Sequence, residues 1–183
     1  MITGHATVLS VSRNAAHRFS KAPCEAITLL SGLGVEGDAH AGITDQHRFT
    51  KRRDPTRPNL RQVHLIQSEL FAELADRGFE VGPGELGENV TTRGIDLLAL
   101  PERARLHLGG EAVVEVTGLR NPCKHIDGLQ AGLLKAVIAS GVGQAVPQRT
   151  GVMSIVIAGG VVRPGDAIRV ELPVGEHRML QTV

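Results

Sequence analysis

At 183 residues and 19.4 kDa the chain has the length of one domain, enough to bury a core without disulfides or structural metals. Its 42% hydrophobic and 21% charged residues exclude a disordered tail, a collagen or a coiled coil. A net charge of +1, no Trp, no Tyr and four Phe leave little to neutralise or stack on nucleic acid.

No apolar run reaches the ~18 residues that span a bilayer. Met1 to Val11 has no basic flank followed by an apolar stretch, the pattern of a secretory signal. Two cysteines, Cys24 and Cys123, read as thiols of a reducing compartment rather than a disulfide framework. The expectation is a cytoplasmic protein with neither nucleic acid nor membrane as partner.

Taken in chain order, Ala6–Val11 and Glu25–Leu29 are short, β-branched runs that predict strands. Gly34–Gly42 follows, with Asp38 and His40 two apart and able to share a face. From Gln46 to Arg61 six basic residues stand against Asp54 alone, a local charge of +5. Pro55 and Pro58 predict that this segment stays out of regular structure. It reads either as a solvated loop or as an arm that reaches for a phosphate or an anionic substrate.

Gln62–Ile66 predicts another strand. A helix follows, capped by Ser68, striped by Leu70, Phe71 and Leu74 and stopped at Gly78. Pro83–Gly94 is Gly-rich: backbone N–H groups there can face an anion or a planar ring, with Asn89, Thr91 and Thr92 as directional partners. It matches neither the nucleotide-phosphate loop nor the dinucleotide fingerprint.

Ala112–Thr117, Val152–Ile157 and Ala167–Leu172 predict strands, and Leu129–Ser140 predicts a second helix ended by Gly141. Many short strands broken by Gly and Pro turns predict a mostly-β barrel or sandwich with a few peripheral helices, as a single domain over 1–183.

The densest chemistry lies in Thr117–His125. A thiol at a strand exit beside Arg120, Lys124 and His125 has its thiolate favoured by positive charge, and Pro122 fixes the backbone before it. Cys123 is therefore read as functional and Cys24 as structural. A zinc site from Asp38, His40, Cys123 and His125 is an alternative without paired ligand spacing to support it. The common hydrolase signatures are absent.

Together, Gly37–Gly42, Arg61–Ile66, Gly84–Thr92, Leu119–Cys123 and Gly159–Asp166 resemble the ordered motifs of MOSC domains, named for the C-terminal domain of molybdenum cofactor sulfurases. The resemblance implies a MOSC-type β-barrel and a molybdenum–pterin cofactor. It implies that Cys123 is the catalytic residue and metal ligand. Arg120, Asn89, Glu85, Thr91 and Thr92 fall where cofactor contacts are expected.

The chain departs from the family's stand-alone reductases at Ala39–Gly42, where they carry a His-Gly-Gly segment. It has no cysteine set for an iron–sulfur centre, so electrons would come from a partner. Three functions follow: a molybdenum reductase of small N-oxygenated compounds, a metal-free sulfur carrier using a Cys123 persulfide, or a non-catalytic binding module. The partners expected are a small-molecule substrate and a redox or sulfur-donor protein, and a homodimer is compatible with each.

Overall fold

Alternation sets the main sheet. Along β8 (Ala112–Leu119) every second residue is buried, which lays Ala112, Val114 and Val116 on the core face. The computed structural model describes residues 5–138 and 149–183. Within them β1 (Thr7–Arg13), β5 (Val63–Gln67), β8, β9 (Val152–Ala158) and β11 (Ile168–Glu171) coincide with runs whose composition predicts strands. So does β3 (Ile27–Leu30). The shorter β2 (Ala22–Cys24), β4 (Gly34–Val35), β6 (Val90–Arg93), β7 (Arg105–Leu108) and β10 (Gly160–Val162) complete the described strands.

The fold is mostly β. Eight strands form one sheet in the order β11-β7-β8-β9-β5-β6-β1-β2, and β10-β3-β4 form a second. Neighbours in the larger sheet are antiparallel except β5 and β6, which run parallel with Leu65 opposite Val90. Among the described residues both sheets are open, so no ladder there closes the barrel that the resemblance implies. The larger sheet nevertheless curls: the Ile168 N–H donates to the Ala6 carbonyl at 2.7 Å and the Val8 N–H to the Asp166 carbonyl at 2.8 Å. This contact is a single isolated bridge, Thr7 to Ala167, rather than a strand pair.

Val11, Leu65, Val90, Leu106, Val114 and Val152 fill the main core with essentially no exposed surface. Each such side chain contributes about 1.5–3 kcal/mol relative to exposure. Parallel pairing of β5 and β6 requires a crossover, and α2 (Glu69–Ala75) supplies it. Its Leu70 and Leu74 pack with Ile66, Ile126, Leu133 and Val137 in a second core.

Three helical expectations need correction. Ser68 sits at the start of α2 in helical conformation and makes no side-chain cap; Glu69 accepts from the Gly94 N–H at 2.7 Å instead. The second helix is shorter, α3 (Leu133–Val137), because Gly132 begins it from a left-handed conformation. Its expected end at Ser140 and Gly141 lies outside the described residues. The basic segment carries a helix, α1 (Arg48–Arg53), and the two prolines follow it rather than prevent it. Among the described residues no helix is long and apolar enough to cross a membrane.

Candidate functional site

Strand β5 shows how the fold places polar groups beside its core. Val63 and Leu65 point into the main core and Ile66 into the second, while His64 faces a cleft of about 430 Å³. Four segments surround that cleft: the loop before β2, the arm carrying α1, the end of β5's partner loop at Gly87–Asn89, and the cysteine loop after β8.

The floor is built on Asp38. Its Oδ2 accepts from the Lys21 ammonium at 2.8 Å, the Asn89 amide at 3.1 Å and the Asn14 N–H at 3.2 Å. Its Oδ1 accepts from the His40 backbone N–H at 2.9 Å and lies 3.2 Å from His40 Nδ1. Burial opposes ionisation of Asp38, yet the His40 bonds and the Lys21 charge outweigh it and hold the carboxyl well below the usual range. Burial lowers the pKa of Lys21 in turn, with Asp38 acting against it. Both side chains are almost fully enclosed, so the pair is a fixed part of the fold.

His64 is fully desolvated, which together with the Arg120 charge pushes its pKa down to about 3. It is therefore a neutral imidazole that donates from Nε2 to the Thr150 carbonyl at 2.6 Å. Arg120 is held by its backbone: its N–H donates to the Gly151 carbonyl at 3.0 Å, and its carbonyl accepts from the Thr150 hydroxyl at 3.0 Å. Gly151 has φ +83°, and a Cβ there would stand 2.0 Å from the Leu65 carbonyl oxygen, so glycine is obligatory at this junction.

The Arg120 guanidinium is buried, lies 5.6 Å from the centre of the Phe19 ring, and leaves Nη1 without a partner. Burial lowers its pKa, while Cys123 and Glu88 favour its charge. Glu88 lies wholly buried, its Oε1 accepting from the Gly84 N–H at 2.6 Å and the Thr91 hydroxyl at 3.0 Å. Burial pushes its carboxyl pKa up, against those bonds and the Arg120 charge.

Cys123 is half-buried and opens a 3-10 turn, Lys124–Gly128, which Ile126 pins into the second core. Its Sγ lies 3.5 Å from His125 Nδ1 and faces the cleft, as do Asn121 and Met153.

Of the residues singled out in the sequence, Cys123, Arg120 and Asn89 line this one cleft. Glu85 does not: it is exposed, and its Oε2 accepts from the Gly82 N–H at 2.8 Å. Thr91 and Thr92 are buried within β6 between β1 and β5, because the segment read as a Gly-rich loop turns into a strand at Val90. Lys124 is exposed and outside the lining.

The four groups of the zinc alternative form two separate pairs, Asp38 with His40 and Cys123 with His125. Among the described residues no three His, Cys, Asp or Glu side chains are placed to hold a metal ion by themselves. Lys21 lines the cleft without any local signal in the sequence; Arg61 closes the basic arm and His64 lies in the Arg61–Ile66 motif, but neither is singled out by the sequence as a site residue.

A family model described as the MOSC domain matches residues 44–169. The YuaD protein of Bacillus subtilis superposes with a TM-score of 0.73 at 27% identity, covering 91% of this chain and 96% of its own. YiiM of Geobacillus stearothermophilus shares the fold with a TM-score of 0.65 at 18% identity, covering 91% of this chain and 75% of its own. YiiM of Escherichia coli does so with 0.63 at 19% identity, covering 96% and 73%. No curated protein matches the chain.

Proposed function

The chain belongs to the MOSC domain family, and from that premise we propose that its cleft binds a molybdenum–pterin cofactor through Cys123 and serves the two-electron reduction of small N-oxygenated compounds. The observation that carries this reading is one of placement: a thiol, a buried guanidinium with a free N–H and an amide side chain open onto the same ring-sized cleft.

The donor set fits that group. A thiolate is a soft ligand suited to a metal that cycles between oxidation states. Arg120, beneath the same cleft, provides positive charge and an unpartnered donor for anionic oxygens of the cofactor. When bound, the cofactor supplies the electron-pair chemistry.

The chain's own residues supply orientation and field. Arg120 Nη1 is free to donate to an anionic oxygen. Asn89 gives its amide protons to Asp38 and the Ser12 carbonyl, so its position is fixed before anything binds. His64, neutral and locked to Thr150, contributes an uncharged wall. Enclosure of these groups strengthens each electrostatic contact compared with water.

The sulfur-carrier alternative is favoured by one feature, the 3.5 Å approach of His125 to the Cys123 sulfur. A carrier has no use for a ring-sized cleft, which supports the cofactor reading over it. Anaerobically purified protein from a cofactor-sufficient host, supplied with a chemical reductant and a hydroxylamine-type substrate, tests the choice. Reduction that Cys123→Ser abolishes is expected; persulfide on Cys123 without any reduction would overturn the proposal in favour of the carrier.

A further inference from the structure

The rim of the cleft carries charge that the floor leaves unused. His17 and His40 stand with ring centres 5.2 Å apart, and His17 Nε2 lies 3.0 Å from the Gln46 carbonyl. His47 joins them: burial, Arg61, His40 and His17 all push its pKa down, and only Asp45 acts the other way. Arg48 and Arg61 face the same space.

Two acids lie beside this rim. Asp38 is saturated by Lys21, Asn89, Asn14 and His40. Asp45 is buried and accepts from the His47 backbone N–H at 2.8 Å. Arg61 donates Nη2 to the main-chain oxygen of Val183, which fixes its guanidinium. Of the remaining charged groups on the cleft, Arg18 lies on the same loop as His17, and Lys21 and Arg120 belong to the floor. Three imidazoles and two guanidiniums therefore converge from three loops around the Asp45 carboxylate, while Asp38, which His40 Nδ1 also meets at 3.2 Å, is balanced by Lys21, so basic groups outnumber acids at the rim. Such an arrangement suits a dianion with several acceptor oxygens.

We propose that the rim is a second anion subsite, in which His17, His40, His47 and Arg61 take a phosphate-like group of the cleft's ligand, apart from the floor site at Arg120. The group comes either from a phosphate of the cofactor or from an anionic substrate. That choice of source rests on the cofactor reading above, whereas the subsite itself does not. An anion held among imidazoles favours their charged forms, so binding takes up protons and tightens as pH falls.

The test is a sulfate titration of full-length protein from a host that lacks the cofactor, followed by the imidazole NMR signals. Sulfate stays dianionic across the range, so any pH dependence belongs to the protein. Saturable shifts at His17, His40 and His47 are expected, about tenfold tighter near pH 5.5 than near pH 8. The double variant His17→Gln/His47→Gln should lose about tenfold in affinity while Arg120→Gln keeps the rim response. His107, paired with Glu171 at 2.7 Å on the far part of the sheet, reports that each variant remains folded.

Rim signals that do not saturate, or a double variant with unchanged affinity and pH dependence, would overturn the subsite. Repeating the titration on cofactor-loaded protein separates the sources. A surviving rim response assigns the group to substrate, and a vanished one assigns it to the cofactor. Protein that never loads molybdenum would count against the proposed reduction and leave the sulfate result standing.

Discussion

The floor and the arm of the cleft are both polar, yet they are built on opposite principles. In the floor, Lys21, Asp38, Asn89 and His64 are all buried and each has a protein partner within 3.2 Å. In the arm, α1 has no buried residue and Phe49 is 63% exposed. The arm is tied at its base, where Thr44 bridges Pro58 and the Asn59 amide donates to the His40 and Gly42 carbonyls at 2.9 Å each, and at Gln46, whose carbonyl lies 3.0 Å from His17 Nε2. Groups that pay their desolvation during folding are in place before a ligand arrives. Groups left in water keep their freedom and adapt to it. The floor is thus pre-formed, while the arm lines the cleft with groups left in water.

The sharpest way to break the contrast is to unpair the floor. Asp38→Ala leaves the Lys21 ammonium buried without its counter-charge and should cost about 3–5 kcal/mol in a denaturant melt. A cost under about 1 kcal/mol would mean that water reaches Lys21 and that the floor is not pre-formed. Next comes Gly151→Ala, which combines a left-handed φ with a Cβ against the Leu65 carbonyl. It should destabilise by about 1–3 kcal/mol or more and loosen Arg120, seen as lost anion affinity beyond the stability change.

Acid should separate the regions too. The His64 pKa is lowered from 6.5 to about 3, so the unfolded chain binds more protons than the folded one between those values. Stability therefore falls as pH drops through that window. Asp38 adds its own loss below the ordinary carboxylate range, because its lowered pKa stabilises only the ionised form. The raised pKa of Glu88 works the other way, its contribution fading as pH rises above the usual range. The readout is thus the difference between wild type and His64→Gln, whose melting temperature should depend less steeply on pH from about 6.5 downward. Parallel curves would show that His64 titrates in water.

At the small end, Phe49→Ala and Arg52→Ala on the arm should shift stability by no more than about 0.5 kcal/mol. A larger loss would place the arm in the packed fold.

Those same differences explain what was legible in the sequence. Strands such as β8 and β9 announce themselves through local alternation and β-branching. The cysteine loop was legible because thiol, cations and proline fall within nine residues, and Asn89 and Arg120 reach its cleft. Lys21 and His64 were not legible, since their roles depend on Asp38 and on Thr150, 17 and 86 residues away. Thr91 and Thr92 looked like loop ligands because local Gly content hides a parallel pairing with β5 that only the tertiary fold supplies. The helix in the basic arm was missed for a related reason: prolines at 55 and 58 forbid a long helix but not a six-residue one that ends before them.

The central claim is that Cys123 and the buried Arg120 form one cofactor site. It is tested most directly by molybdenum content per chain in anaerobically purified wild type, Cys123→Ser and Arg120→Gln from a cofactor-sufficient host. Near-stoichiometric metal in wild type, none in Cys123→Ser and a partial load in Arg120→Gln is the expected pattern. Equal molybdenum in wild type and Cys123→Ser, or none in folded wild type while the same host loads another molybdenum protein, would contradict it.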